Sequence, residues 1–290
     1  MRPSLCVLGQ AKRVLADLAG RARFPHGLLV CALPLTTLLA SQSPPAVTET
    51  ADWVSRQIDA RDTGRDARLD MTMRLFDRQG RSRERALTVT ALRGRGATGD
   101  RTLVRFNAPN DIKGTGFLVW EHDAADDERF LFLPALGRVR RIAGSEKQES
   151  FVGSDLSYED LGGRDVSDYT YAFVQRDATW TASDGTRHAA WQLESRSIEK
   201  DAPYPRSVSL VRKDNFVVVS AEVFNRRNER EKRYDVKRLE RISGIWTAMD
   251  AVMVNDLQHT RTELAITRAE YNIGLTEADF SRRALEQGAR

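Results

Sequence analysis

Beyond residue 31 the 290-residue chain contains no cysteine. Cys6 and Cys31 both fall in the N-terminal stretch, so the rest can form no disulfide, offers no thiol nucleophile and gives no thiolate to a metal. Histidine is scarce too. Past the first 40 residues only His122, His188 and His259 remain, far apart and without a histidine or cysteine at ligand spacing, which reads as surface histidines. The acidic run from Asp123 to Glu128 lacks the alternating ligands and central glycine of a calcium loop. No G-x-S-x-G occurs, and Gly153-Ser154-Asp155 lacks the second glycine of a nucleophile elbow. Gly94, Gly96 and Gly99 are followed by neither the helix nor the lysine of a phosphate-binding loop. These absences argue against an enzyme, and neither a metal nor a cofactor is expected.

An excess of charge of one sign is also missing. The formal net charge of +4 comes from the N-terminus, where residues 1–40 hold five Lys/Arg and one Asp, leaving 40 basic and 40 acidic residues. A neutral remainder removes the global electrostatic argument for nucleic acid. The N-terminus has the layout of a secretion signal. Arg2, Lys12, Arg13, Arg21 and Arg23 precede an apolar run from Gly27 to Ala40, followed by Ser41-Gln42-Ser43 and Pro44-Pro45. The apolar core is of signal-peptide length and too short for a stable membrane anchor. Val30 before Cys31 argues against lipidation at that cysteine. The expected organisation is therefore a signal peptide and short linker over residues 1–43 and one domain over 44–290, exported to the periplasm and soluble after cleavage.

What is present is strand pattern. Residues 48–60 suggest a first helix, capped by Thr48 or Thr50, with Trp53, Val54 and Ile58 near one face. Leu69, Met71, Met73 and Leu75 then alternate with polar residues, the period of a half-buried strand. Asp77-Arg78-Gln79-Gly80 turns the chain, and strands follow at 85–92 and 102–106. The apolar runs Phe117 to Trp120 and Phe130 to Leu133 flank the acidic segment as a hairpin. A basic strand and a Gly162-Gly163 break come next, then a short mixed segment ending near Phe173. Asp184-Gly185 supplies the positive φ of a tight hairpin turn between 179–182 and 189–198. Strands at 206–212, 216–224, 233–242, 246–255 and 262–273 lead to a helix over 277–285, with Thr276 as N-cap and Asp279 three positions on. Roughly ten strands in consecutive order, joined by tight turns, predict an α+β, mainly β fold built on a single antiparallel meander sheet.

The order of four blocks adds a resemblance. They are Pro109-Asn110-Asp111-Ile112-Lys113-Gly114, Leu131-Phe132-Leu133-Pro134-Ala135-Leu136, Arg138-Val139-Arg140-Arg141-Ile142, and Gly153-Ser154-Asp155-Leu156-Ser157-Tyr158-Glu159-Asp160-Leu161. In this order they resemble the outer-membrane lipoprotein-sorting proteins, relatives of the periplasmic lipoprotein carrier. The resemblance implies that the curved sheet is an open, incomplete β-barrel whose hollow is lidded by helices and accepts acyl chains. Alternation nominates Leu103, Phe117, Val119, Leu131, Leu133, Trp191, Leu193, Val217 and Val219 as lining residues, although a one-residue error exchanges the faces. Arg138, Arg140 and Arg141 are candidates to hold a head group through paired hydrogen bonds, or else form a charged, salt-bridged edge strand. The family's pattern also implies that Asp155, Glu159 and Asp160 cap a short helix and pair with those arginines rather than act in acid/base catalysis. The function implied is a non-enzymatic, monomeric periplasmic carrier for a lipid, lipoprotein acyl chain or other hydrophobic cargo, with a resistance-nodulation-type inner-membrane exporter as a partner. The alternative is an adaptor subunit of an envelope transport complex that binds no lipid.

One expectation concerns processing. N-terminal sequencing of the exported protein should begin between Ala40 and Thr50, and a product that keeps the apolar run would refute the signal-peptide assignment.

Overall fold

The computed structural model describes residues 48–94, 98–122, 125–162 and 166–287. The expected signal peptide lies outside the described residues. Thirteen strands form one antiparallel sheet: β1 (Asp66–Phe76), β2 (Ser82–Leu92), β3 (Thr98–Ala108), β4 (Gly116–His122), β5 (Glu128–Leu133), β6 (Arg138–Arg141), β7 (Tyr169–Thr181), β8 (Arg187–Ser197), β9 (Arg206–Arg212), β10 (Val218–Phe224), β11 (Arg230–Ile242), β12 (Ile245–Asn255) and β13 (Thr260–Tyr271). Their spatial order is β6-β5-β4-β3-β2-β1-β13-β12-β11-β10-β9-β8-β7. The open meander expected from the sequence is present. The first strand pairs with the last, and β6 and β7, consecutive in the chain, lie at opposite edges. Residues 142–168 must therefore travel from one edge of the sheet to the other.

Burial explains why the strands differ in pattern. Strand β12 alternates strictly between buried and half-buried positions, as one face packs and the other meets water. Strands β4 and β5 are almost continuously buried because both faces are covered. Phe117, Val119 and Leu131 join the main core, whereas Leu118, Phe130 and Phe132 belong to a second cluster on the other face. That second cluster is closed by the C-terminal segment. A 3-10 helix (Glu277–Phe280) and helix α2 (Arg282–Gln287) set Phe280 and Leu285 on it, 1% and 0% exposed. Trp120 Nε1 donates to Phe280 O at 2.7 Å, and Arg105 donates to Ala284 O at 2.7 Å. A Cβ at Gly116 would come within 2.6 Å of Leu285 Cδ1, so close seating of the leucine needs glycine there. The single helix expected over 277–285 is interrupted at Ser281, whose extended backbone (φ −81, ψ 159) redirects the chain onto the sheet. The Thr276–Asp279 cap is present, with Thr276 N donating to Asp279 Oδ2 at 2.8 Å.

The solvent face of the remaining strands carries cross-strand ion pairs, among them Arg74–Glu84 at 2.8 Å, Arg238–Asp250 at 2.6 Å and Arg233–Asp256 at 2.9 Å. Such exposed pairs contribute little stability each. They account for a chain rich in charge and nearly neutral in sum.

Leu285→Ala should cost about 2–4 kcal/mol in urea unfolding, since it empties a fully buried site and loosens the C-terminal strap from β4. A change below about 0.5 kcal/mol would mean that the strap does not belong to the cooperative core.

Candidate functional site

Helix α1 (Ala51–Ala60) and the crossing segment cover the apolar face of the sheet. The side chain of Thr50 caps α1, accepting from Trp53 N at 3.0 Å. Ala51 and Val54 enter the main core. Trp53 meets Trp191 at 6.4 Å and Phe216 at 5.7 Å, and Trp191 stacks on Phe216 at 5.7 Å. These rings fasten α1 over β8 and the β9–β10 turn. Across the sheet, the crossing segment places Ile142, Phe151, Leu156, Tyr158 and Leu161 in the same core. Phe151 is 0% exposed, 5.7 Å from Phe106 and 5.4 Å from Phe117, while Tyr158 lies 5.2 Å from Phe117.

The local chemistry of Gly153-Ser154-Asp155 is that of a folded loop. Val152 (φ 50) and Gly153 (φ 74) are both left-handed and reverse the chain after Phe151. That conformation is costly for a β-branched residue. Ser154 Oγ donates to Phe151 O at 2.8 Å, Ser150 Oγ donates to Ser154 O at 2.6 Å, and Arg85 donates to Val152 O. Polar anchors tie the loop down. Asp155 accepts from the hydroxyls of Thr260 and Thr262, the latter at 2.6 Å, while its own N–H donates back to Thr262 Oγ1 at 2.9 Å. Asp160 holds Lys232 at 3.0 Å and accepts from Ser157 N at 2.8 Å. Lys232 is buried and lies 5.0 Å from the Tyr204 ring. Burial alone would lower the pKa of its ammonium, but Asp160 and Tyr204 outweigh it and hold the group above the ordinary lysine value. Burial also pushes the Tyr204 phenol up to about 12, against the opposing effect of Lys232.

The residues nominated for the lining divide in two. Phe117, Val119, Leu131, Trp191, Leu193, Val217 and Val219 lie in the main core, with Leu133 packed against it. Leu103 does not. It pairs with Leu118 in register and belongs to the second cluster beneath the C-terminal strap, while its neighbour Val104 takes the inner place. Where both faces are buried, Leu103 and Val104 satisfy alternation equally well, so the pattern could not choose.

The basic strand also differs from expectation. Arg140 pairs with Glu146 at 2.8 Å and Arg141 with Glu128 at 3.4 Å. The implied pairing with Asp155, Glu159 and Asp160 is absent among the described contacts, because Asp155 turns to the β13 threonines and Asp160 to Lys232. Register places Arg140 opposite Leu131 and Arg138 opposite Leu133, on the inner side, whereas Arg141 pairs with Phe130 on the outer side. Lys232, Thr260 and Thr262 carried no signal of their own, since each is a polar residue in an alternating strand.

A polar cavity of about 510 Å³ opens between the two sheet edges. Asp126, Asp127, Arg129, Arg141 and Lys147 line one side, and Asp168, Tyr169 and Glu199 the other, with Ile142 and Glu159 of the crossing segment also in the wall. Among the described residues no three metal-ligating side chains come together, and no helix is long and apolar enough to cross a membrane.

A family model described as an uncharacterized protein matches residues 98–287. The chain belongs to that family. No curated protein matches it. Among solved structures, a protein domain from Vibrio parahaemolyticus, described as outer membrane lipoprotein-sorting, is 28% identical with a TM-score of 0.74, over 81% of this chain and 98% of that one. A DUF1329 family protein from Desulfovibrio piger is 29% identical with a TM-score of 0.72, over 81% and 95% of the two chains. A LolA superfamily protein from Nitrosomonas europaea shares the fold at 14% identity and a TM-score of 0.61, over 82% and 100%. The resemblance drawn from the four sequence blocks is thereby borne out: this member of the uncharacterized family has the Lol-type fold of the lipoprotein-sorting proteins.

The Lys232–Tyr204 anchor gives a pH signature. Both groups titrate higher in the folded chain than in the unfolded one, so their stabilisation is complete below about pH 10 and is lost as pH rises toward 12 and beyond. The urea midpoint should fall over that window, and Tyr204→Phe should make the fall shallower; an identical profile in the variant would remove Tyr204 from this account.

Proposed function

We propose that this protein is a non-enzymatic periplasmic carrier that shields acyl chains on the inner face of its half-barrel. The observation that supports the proposal most directly is the nature of the cover. An apolar layer reaching across the sheet is closed by one ten-residue helix and a crossing segment with only short 3-10 turns, not by a second sheet. Such a cover can leave as a unit while the sheet stays paired. The lipoprotein-sorting description of the Vibrio parahaemolyticus relative points the same way.

The energetics suit exchange. Exposing an acyl chain to water costs about 0.8 kcal/mol per CH₂, so a chain of about sixteen carbons requires a shielded path. Cargo displaces Phe151, Leu156 and Tyr158 from the inner face and takes over their contacts with Phe117, Val119 and Leu131. Arg138 and Arg140, beside Leu133 and Leu131, bias the choice of head group at the rim. Residues 1–43 direct export, 44–290 act as one monomeric carrier domain, and an inner-membrane exporter of the resistance-nodulation type loads or receives the cargo.

The test begins with mass spectrometry of lipids released on denaturing protein purified from the periplasm, followed by rebinding of a palmitoyl-chain lipid to delipidated protein. Copurified lipid and saturable rebinding are expected. Leu133→Glu, a half-buried site, should abolish rebinding with the fold intact by circular dichroism, and Arg140→Ala should shift the preference between anionic and neutral head groups by up to about tenfold. Absence of both copurified and rebound lipid would leave the adaptor alternative.

A further inference from the structure

The crossing segment is bonded to itself as well as laid over the inner face. Phe151 N donates to Leu156 O at 2.7 Å, Tyr158 N to Glu149 O at 3.1 Å and Glu159 N to Lys147 O at 2.7 Å, and Ser150 and Ser157 form an antiparallel bridge. Residues 147–159 are therefore a small hairpin that sends Phe151, Leu156 and Tyr158 into the main core and has residues 152–155 at its tip. The side-chain contacts that fasten it to the sheet differ in kind between base and tip. At the base, Asp160 pairs with the buried Lys232 ammonium at 3.0 Å. At the tip, the two carboxylate oxygens of Asp155 accept from Thr260 and Thr262, and Arg85 donates to Val152 O. Asp155 is 9% exposed, and the side chains that bond its carboxylate are neutral hydroxyls. Thr260 and Thr262 stand two apart on β13, on the face that carries Leu264 and Ile266 into the main core. That spacing lets one strand face clamp a single carboxylate from both sides.

We propose that Asp155 is the positioning residue that gates the inner face: the hairpin opens at its tip, where the Asp155–threonine clamp lets go, and turns about its base at Asp160–Lys232. Parting the clamp returns one buried carboxylate to water in exchange for its hydroxyl bonds. Parting the base leaves the Lys232 ammonium buried in the sheet without its counter-charge, which is far more costly. The tip therefore yields first. Val152, β-branched and left-handed at φ 50, lies in that tip and loses its strain on release. Leu156 follows Asp155 directly, so release of the clamp uncovers the apolar layer at that point. The inference rests on the carrier function for what enters there, and on the clamp alone for how the cover moves.

The chain has no cysteine past residue 31, so single introduced thiols can report opening. Leu156→Cys places one beside the clamp and Leu285→Cys one under the C-terminal strap, both at sites 0% exposed. Labelling of each by a soluble thiol reagent is followed without lipid. Asp155→Ala should speed labelling at position 156 by about tenfold, and the milder Thr260→Val should speed it less, with position 285 unchanged in both. Lys232→Met should speed both positions together, because the base belongs to the cooperative core. A matched rise at 156 and 285 in Asp155→Ala, or no rise at either, overturns the clamp. So does Lys232→Met acting at 156 alone. The rate at which delipidated protein takes up a palmitoyl-chain lipid should follow labelling at 156. Faster labelling with no lipid uptake upholds the clamp and overturns the carrier function. Uptake that stays at the wild-type rate while labelling quickens overturns Asp155 as the gate and leaves the carrier function standing.

Discussion

A sheet of thirteen strands presents one face too apolar for water, and that face has to be covered before anything else in the molecule can be arranged. The chain meets this constraint through its topology. Because β1 pairs with β13 and the meander ends at β6 and β7 on opposite edges, the link between those strands must cross the molecule. Its path over the inner face carries Phe151, Leu156 and Tyr158 into the core. The connection and the cover are thus the same stretch of chain. Its polar anchors lie where it approaches β11 and β13, at Lys232 and Thr262.

On the carrier function proposed above, the same balance of burial decides whether the cover can be exchanged. Five large apolar or aromatic side chains of the crossing segment, each worth about 1.5–3 kcal/mol when buried, contribute on the order of 10 kcal/mol. A sixteen-carbon chain burying its methylenes contributes a similar amount. Neither competitor wins by a wide margin, so the outcome rests on the smaller polar contacts at the ends of the segment and at the cargo head. A cover held by a second sheet would outweigh any single lipid and could not release its place. Left-handed Val152 would act on the other side of that balance, because the strain of a β-branched residue at positive φ is relieved if the loop leaves.

Most of the architecture was legible because turn chemistry and alternation are local. Asp184-Gly185 marked its hairpin, Leu69 to Leu75 marked β1, and the apolar runs about the acidic segment marked β4 and β5. The misses have physical causes. Residues 169–178 belong to β7, but this edge strand carries register shifts between Phe173 and Gln175 and between Gln175 and Ala178, which break the two-residue period on which the assignment depends. Leu103 was put on the wrong face because β3 is buried on both. The partners of Asp155 and Asp160 were unreadable for a different reason. Thr262 lies 107 residues from Asp155 and Lys232 lies 72 from Asp160, and nothing in a strand's own sequence says which of its polar residues will meet a loop from elsewhere.

Charge placement separates the two parts of the candidate site. On the open face of the sheet, arginines and carboxylates are matched across neighbouring strands, and the arginines of β6 are matched as well, Arg140 with Glu146 of the crossing segment and Arg141 with Glu128 of β5. Ion pairs of this kind keep an edge strand soluble and resistant to pairing with another chain. They also engage Arg140 and Arg141, so a basic run in the sequence overstates the free positive charge on β6. Further in, at the seam, Arg129 is paired with Asp127 at 3.1 Å, while its Nε and Glu159 Oε2 are buried without a hydrogen-bond partner among the described residues.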